Sequence, residues 1–166
     1  MVTYRHKIFL SYHHEADQEY ADALVGHYKQ QKTIIDKSMY DDFSHLKNET
    51  ILKKIRYEHL KDSTVTVVLV GAHTWGRKWV DWEIHSSLRS YGDRTRNGLA
   101  GVYLPGHSRR HFRLTDNIRS GYAVRLNWDN LEDEFTEAVH RAWNRRRREA
   151  LIDNTRLLRR KNASIW

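Results

Sequence analysis

The most apolar stretch of the chain covers residues 65–71 and is rich in valine. Such a stretch is typical of a strand covered on both faces, as in the middle of a parallel sheet. A helical pattern begins eight residues later at Trp79, and Glu83 follows four residues after it, on the same helical face. In open α/β sheets a helix of this kind begins beyond the carboxyl end of its strand, where ligands bind. We therefore expect Glu83 to face a ligand-binding crevice; the alternative is an exposed surface glutamate.

Similar short apolar segments alternate with helical patterns along the rest of the chain. The other predicted strands cover residues 7–12, 33–36, 99–104 and 122–126. Helical patterns begin near residues 17, 48, 79 and 130, and the one that begins at Trp79 is expected to reach about Tyr91. Residues 107–121 are expected to be irregular, with one helical turn near Thr115. The alternation predicts a single α/β domain, with a five-stranded parallel sheet, right-handed crossovers and helices on both faces.

The segment 37–47 shows no clear hydrophobic period. It is long for a strand-to-helix connection, for which about 2–6 residues is usual. Long loops of this kind often serve as lids over a site, and an ordinary surface loop is the alternative. We take the segment as a candidate lid and its Asp42 as a candidate substrate-binding residue.

Composition narrows the class of protein. The chain has 166 residues, 39% of them hydrophobic and 30% charged, as expected for one globular domain. No apolar run approaches the roughly 20 residues that span a bilayer, and no secretory pattern is present. Cysteine is absent, which excludes disulfides and thiolate sites. We expect a cytoplasmic protein that makes no membrane contact.

The net charge of +8 is concentrated near the C-terminus. Nine lysines and arginines lie between Arg141 and Lys161 against two acids, whereas the rest of the chain carries 20 basic and 19 acidic residues. We therefore divide the chain into a body, residues 1–145, and a basic extension of the same domain, residues 146–166. Such charge attracts nucleic acid, but cations also favour the C-terminal end of a helix. We expect a solvated helix end and no nucleic-acid partner.

Several common catalytic motifs are missing. No glycine-rich phosphate loop follows the first strand, which argues against a Rossmann oxidoreductase or a P-loop NTPase. Among the eleven histidines, neither the adjacent His13 and His14 nor the pair His107 and His111 has a convincing third ligand, so we predict no metal site. Ser11 lacks the oriented base that a nucleophile needs. We expect Ser11 to hydrogen-bond backbone or ligand at the strand end.

Two segments resemble motifs of TIR domains. Residues 8–12, Ile-Phe-Leu-Ser-Tyr, are similar to the first-strand motif, which an aspartate-bearing helix follows. Residues 79–84, Trp-Val-Asp-Trp-Glu-Ile, are similar to the Trp-x-x-x-Glu-hydrophobic motif of TIR-domain NADases. Over residues 6–145 the chain resembles the ThsB family of TIR-like proteins from bacterial Thoeris anti-phage defence systems. The resemblance implies a flavodoxin-like TIR fold, which makes residues 1–145 the TIR-like domain.

The resemblance also implies an activity. Members of this family are expected to cleave the nicotinamide–ribose bond of NAD+ and to make a cyclic ADP-ribose-type signal. By motif position Glu83 is the catalytic residue, and Tyr12, His13 and Trp79 line the NAD+ pocket. NAD+ is the substrate, and no separate cofactor is implied. Basic residues often follow the first-strand tyrosine in enzymatic TIR domains, whereas histidines stand here, so the resemblance identifies no pyrophosphate contact.

The partners that the resemblance implies are a phage-derived trigger, other copies of the chain, and a separate effector, ThsA, reached through the nucleotide signal. Three alternatives stay open. A non-catalytic TIR-like adaptor would have the same fold, with the space beside Glu83 filled by side chains. A nucleic-acid-binding module would use the arginine-rich end. A nucleoside deoxyribosyltransferase-like enzyme would also place a glutamate on a sugar, but the first-strand motif favours a TIR domain.

Overall fold

A parallel β-sheet lies at the centre of the computed structural model, which describes residues 6–28, 34–35 and 45–163. Its strands are β1 (Ile8–Ser11), β2 (Ile34–Ile35), β3 (Val65–Val70), β4 (Gly98–Tyr103) and β5 (Val124–Asn127). The order across the sheet is β2-β1-β3-β4-β5, and every neighbouring pair is parallel. The chain order reverses between β1 and β3. Open α/β sheets bind ligands at such a switch point, outside the carboxyl ends of the strands.

Helices cover both faces of the sheet. Their bounds are α1 (His14–Tyr28), α2 (Asn48–Lys54), α3 (Lys78–Ser87), α4 (Phe112–Arg119) and α5 (Leu131–Arg145). A π-helical turn, Ile55–His59, continues α2, and a 3₁₀ turn, Thr74–Gly76, precedes α3. Further 3₁₀ turns flank α5, at Trp128–Asn130 and Glu149–Leu151.

The apolar run of β3 is continuous because both of its faces are buried. Val67 and Leu69 pack in the cluster that α1 and α5 form on one side of the sheet. Val68 and Val70 point to the other side and pack against α3 and α4. Successive side chains of a strand point to opposite faces, so a strand with helices on both sides shows no polar alternation. The predicted arrangement of an α/β domain with helices on both faces is confirmed.

The predicted second strand is much shorter than expected. Its two residues, Ile34–Ile35, pair with Ile8 and Phe9 at the edge of the sheet. The sheet therefore has four strands of four or more residues and this two-residue edge strand, whereas the prediction was five strands, the second a short one over residues 33–36. An edge strand pairs on one side only, and very short edge strands are one way in which proteins limit unwanted strand pairing.

Two helix predictions need correction. The segment expected to be irregular contains α4, whose start is capped by His111, because its Nδ1 accepts a hydrogen bond of 3.4 Å from the backbone N–H of Leu114. This helix buries Arg113 and Asn117, which a hydrophobic pattern does not mark as core positions. The helix predicted to reach Tyr91 ends at Ser87.

Only part of the basic C-terminal stretch lies at a helix end, as predicted: Arg141 and Arg145 are in the last turns of α5, and residues 146–148, all arginine, follow it directly. After α5 and the turn Glu149–Leu151, residues 152–163 run back along α3 and α4; we call this segment the C-terminal strap. Many of its polar groups are hydrogen-bonded to the domain, as described below. Among the residues that the structure describes, no helix has the length and apolar character that crossing a bilayer requires.

Candidate active site

A buried carboxylate lies where the sheet order reverses. Glu83 on α3 is 1% exposed, and its Oε1 accepts a hydrogen bond of 3.0 Å from Oγ of Ser11, the last residue of β1. Ser11 is also buried. The structure therefore brings together two of the residues that the sequence singled out, and the alternative of an exposed surface glutamate is wrong.

The two tryptophans of α3 occupy different environments. Trp82 is buried in the cluster of Phe9 and the α2 side chains, whereas Trp79 is half-buried at the edge of that cluster. Their rings meet edge to face, with centroids 5.6 Å apart, and Nζ of Lys78 lies 4.4 Å from the centroid of the Trp79 ring. Trp82 thus holds α3 on the sheet, and Trp79 stands nearer the surface, one turn before Glu83.

Tyr12 lies on the opposite side of the sheet from Glu83. It packs in the core cluster of α1 and α5, and its hydroxyl donates a hydrogen bond of 3.2 Å to Oε1 of Gln18 on α1. Side chains alternate along a strand, so the neighbour of Ser11 points away from Ser11's side. The structure therefore does not bring the Tyr12 side chain to Glu83.

His13 is the last residue of the short loop between β1 and α1, and it is 7% exposed. Its carbonyl accepts the backbone N–H of Asp17 at 2.9 Å, and its ring meets that of His73 edge to face, with centroids 6.0 Å apart. Burial lowers the pKa of His13, and the nearby charge of Arg77 lowers it further. His13 is therefore neutral near pH 7, between the loops that follow β1 and β3.

The loops after β1 and β3 are held together by Asp17 and Thr74. Oγ1 of Thr74 accepts the backbone N–H of Gly71 at 2.9 Å and donates to the carbonyl of Leu69 at 3.1 Å. The Asp17 carboxylate lies so close to Gly71 that a Cβ added there would meet both of its oxygens. Burial raises the pKa of Asp17, and His73 and Thr74 oppose that shift. Glycine is needed at position 71 because the carboxylate occupies the space of a side chain.

This geometry agrees with the comparison with known families. A family model described as Thoeris protein ThsB, TIR-like domain, matches residues 9–109. The match covers more than half of the 166 residues and includes β1, α3 and the loop side chains described above. The chain belongs to the Thoeris ThsB TIR-like domain family. No curated protein matches the chain at a significant level.

α4 and the C-terminal strap lie beyond the part that matches the ThsB TIR-like family, yet they bind α3 directly. Asp81, two residues before Glu83, accepts hydrogen bonds of 2.8 Å and 3.3 Å from the guanidinium of Arg113 on α4. Arg113 is 1% exposed. Asp81 also accepts the backbone N–H of Arg159 in the strap at 2.9 Å. Burial alone would raise the pKa of Asp81, but the hydrogen bonds and charge of Arg113, together with the Arg159 N–H and His111, hold the pKa below its usual value.

The strap makes further hydrogen bonds to the same helices. Its Arg159 carbonyl accepts the indole N–H of Trp82 at 2.7 Å, and Oδ1 of Asn162 accepts the backbone N–H of Lys78 at 2.8 Å. Oδ1 of Asn154 accepts a third hydrogen bond of the Arg113 guanidinium, also at 2.8 Å. In this ThsB TIR-like protein, α3 is therefore held by the sheet on one side and by α4 and the strap on the other.

Sequence reasoning missed Asp17, His73, Arg77, Asp81 and Arg113. The Asp81 contacts join residues 32 and 78 positions apart, and no local pattern encodes such pairs. Gly71 was a usable signal, because a glycine that ends a buried strand often marks close approach by another group. Asp42 and most of the candidate lid lie outside the described residues. Among residues 6–28, 34–35 and 45–163, no group of three or more histidine and acidic side chains is placed to hold a metal ion.

Proposed function

We propose that this ThsB TIR-like protein cleaves NAD+ at the nicotinamide–ribose bond and makes a cyclic ADP-ribose-type signal. The observation that carries the proposal is the buried Glu83–Ser11 pair at the switch point of the sheet. Membership of the Thoeris ThsB TIR-like family supports a role in anti-phage defence. NAD+ enters as the substrate, and the proposal requires no other cofactor.

A carboxylate in this position suits the chemistry. When nicotinamide leaves, the electron pair of the C1′–N1 bond moves onto the ring nitrogen, and a positive charge develops on C1′ and the ribose ring oxygen. Glu83 would accept hydrogen bonds from the ribose hydroxyls and stabilise that charge in a site of low dielectric. Nicotinamide is already cationic in NAD+, so its departure needs no strong general acid. Ser11 would hold the carboxylate in place through its hydrogen bond to Oε1.

The product depends on what attacks C1′. Water would give ADP-ribose, whereas another nucleophile of the same nucleotide would give a cyclic product and release one proton. Exclusion of water favours the second outcome. Because Glu83 is only 1% exposed, a ribose can reach it only if a neighbouring group moves. The segment 37–47, with Asp42, is our candidate for the lid that moves and then excludes water.

The proposal includes the remaining parts of the defence system. A phage-derived trigger would start the reaction, the active form would be an assembly of several copies of the chain, and the nucleotide product would activate the separate effector ThsA. The non-catalytic adaptor is the competing function, because it requires the same fold and the same family. The experiment below separates the two.

The test compares Glu83→Gln with Glu134→Gln, which alters an exposed glutamate on α5. Cells that carry the intact defence system are infected with phage, and their nucleotides are measured by mass spectrometry. We expect the parental protein and Glu134→Gln to consume NAD+ and to produce the same cyclic nucleotide. Glu83→Gln should keep the fold, because glutamine can still accept the Ser11 hydrogen bond, and should lose turnover by at least 100-fold, of the order found when one group that stabilises transition-state charge is removed.

Two outcomes would contradict the proposal. Turnover by Glu83→Gln at the parental rate would show that the site is assigned wrongly. Defence by the parental system with no loss of NAD+ and no new nucleotide would favour the adaptor. Circular dichroism of the purified variants shows whether each remains folded.

A further inference from the structure

Three nitrogen-bearing side chains lie in the two loops beside the Glu83–Ser11 pair. His13 is in the loop after β1, and His73 and Arg77 are in the loop after β3. We call these three residues the loop cluster. β1 and β3 are adjacent and parallel, with Ser11 opposite Val68, so both loops leave the same edge of the sheet. The loop cluster is therefore at the edge where a ligand bound to Glu83 would lie.

The ring of His13 is a polar group without a partner in a buried place. The residue is only 7% exposed, and yet its Nδ1 makes no hydrogen bond to any residue that the structure describes. Buried polar atoms in folded proteins nearly always have a partner, and an exception calls for a specific explanation. The ring faces His73, whose side chain is half-buried. In the tautomer that carries its proton on Nδ1, His13 would donate this hydrogen bond to a ligand oxygen.

Arg77 adds a positive charge that no acid neutralises. It is half-buried, and within the described part of the chain it forms no ion pair, whereas Arg113 and Arg156 are each paired with an aspartate. The charge of Arg77 acts on His13, because it helps to lower the pKa of that ring. Two acids act on the cluster: Glu15 on His13, where its effect on the pKa is smaller than that of Arg77, and Asp17 on His73. The loop cluster is therefore suited to an anion.

The backbone fixes the spacing of the cluster. The N–H of Gly76 donates to the carbonyl of His73, and the N–H of Arg77 donates to the carbonyl of Thr74 at 3.2 Å. The Thr74 hydroxyl ties this turn to the end of β3. The backbone at His73 and Arg77 is thus held in one hydrogen-bonded turn, which fixes the positions from which their side chains extend.

We propose that His13, His73 and Arg77 bind the pyrophosphate of the dinucleotide substrate. This inference rests on the proposed function, since it assumes that the ligand of Glu83 carries two phosphates. It supplies the positive charge that is missing after the first strand, where histidines stand in place of basic residues. The charge comes instead from the start of α3, in the same loop and helix unit that carries Glu83.

The experiment measures binding by isothermal titration calorimetry on the full chain, with ADP-ribose, which has the pyrophosphate, and adenosine, which lacks it. The variants are Arg77→Gln, Arg77→Lys and the matched control Arg89→Gln, which removes an exposed arginine at the other end of α3. Charge-assisted hydrogen bonds are among the stronger polar contacts, so Arg77→Gln should weaken ADP-ribose binding roughly ten-fold or more. The ADP-ribose affinity of Arg77→Lys should lie between those of the parental chain and Arg77→Gln. Arg89→Gln should bind ADP-ribose like the parental chain.

The results separate this inference from the proposed function. The two readouts are separate, because ADP-ribose binding by Arg77→Gln tests the pyrophosphate contacts and turnover by Glu83→Gln tests the carboxylate. Parental binding of ADP-ribose by Arg77→Gln, or no binding by the parental chain, would overturn the inference while leaving the Glu83 assay unaffected. Weakened binding by Arg77→Gln together with full turnover by Glu83→Gln would uphold the phosphate site and reject the proposed catalytic role. In turnover, Arg77→Gln should raise KM for NAD+ and leave kcat within a few-fold.

Discussion

Ser11 and Glu83 show how one hydrogen bond can set the geometry of a buried acid. The Ser11 hydroxyl comes from the rigid end of a strand, and it contacts one carboxylate oxygen at 3.0 Å. A carboxylate held in this way has a fixed direction, which the proposed reaction requires. Without the hydroxyl, the carboxylate would lose a donor in a place where water is scarce.

Ser11→Ala should therefore reduce NAD+ turnover about ten-fold or more, with a smaller effect on KM, and lower the free energy of unfolding by about 1–3 kcal/mol. Ser11→Thr keeps the hydroxyl and should retain more activity than Ser11→Ala. Ser90→Ala, at an exposed serine after α3, is the control. Turnover and urea unfolding measure the two effects. Parental turnover by Ser11→Ala would mean that the hydroxyl does not orient Glu83.

At the scale of single residues, the sequence predicted the position of Glu83 but not the direction of its neighbours. The valine-rich strand and the Trp79-to-Glu83 spacing were strong local signals. Tyr12 was grouped with Ser11 because the two are adjacent in a motif. Strand alternation places them on opposite faces, and that simple rule could have separated them. The side of the sheet on which α3 packs was needed to decide which of the two meets Glu83.

α3 carries two buried carboxylates that serve different purposes. Glu83 points toward β1 and Ser11, whereas Asp81 points toward α4 and the C-terminal strap. Residues two apart on a helix lie on nearly opposite sides of it. The helix is consequently fixed between the sheet and the strap. Any change in the contacts of Asp81 should affect the placement of Glu83.

Asp81→Asn should destabilise the protein by about 3–5 kcal/mol, because it leaves Arg113 as a buried charge without a counter-ion. The matched control is Asp116→Asn, which removes the partner of Arg156, an arginine that is 48% exposed. Exposed ion pairs contribute about 0–1 kcal/mol, so the control should be nearly neutral. Urea unfolding of both variants checks the prediction. An equal loss in the free energy of unfolding for Asp81→Asn and Asp116→Asn would show that the buried Asp81–Arg113 pair contributes no more to stability than the exposed pair.

At the scale of helices and strands, the sequence predicted α3 but missed α4 and the strap. One physical property explains both results. Hydrophobic periodicity finds elements that bury apolar side chains. α4 buries Arg113 and Asn117, and the strap docks mainly through backbone groups and polar side chains. Because their residues are polar, a hydrophobic-pattern analysis assigns such elements to the protein surface. Their partners are distant in the chain, so only the folded arrangement shows them to be internal.

Across the whole molecule, stability should depend on pH through His111, which is buried, and His85, which is half-buried. Burial lowers the pKa of His85 to about 4, with Arg113 and Arg89 adding to the shift. Burial also lowers the pKa of His111 to about 4, with Asp81 opposing and Arg113 and Arg159 adding. In the unfolded chain both would titrate near 6.5. As pH falls below 6.5, the unfolded state therefore takes up protons first.

We expect the stability contributed by the neutral histidines to be complete above pH 6.5 and to be lost as pH falls toward about 4. The slope should be on the order of 1 kcal/mol per pH unit for each histidine. Urea unfolding between pH 7.5 and about 4.5 measures it. The double variant His85→Gln with His111→Asn should flatten the slope, since asparagine can keep the cap of α4. An equal slope in the double variant would assign the effect to other groups.

The C-terminal strap also determines when the contacts of α3 can form during synthesis. Glu83 leaves the ribosome 76 residues before Arg159, whose backbone holds both Asp81 and Trp82. At synthesis rates of about 5–20 residues per second, this interval lasts roughly 4–15 s. During it, the helix bearing the acid has no strap to hold it. In a protein proposed to consume a central metabolite, nascent copies therefore cannot complete the contacts of this helix until the strap has been synthesised.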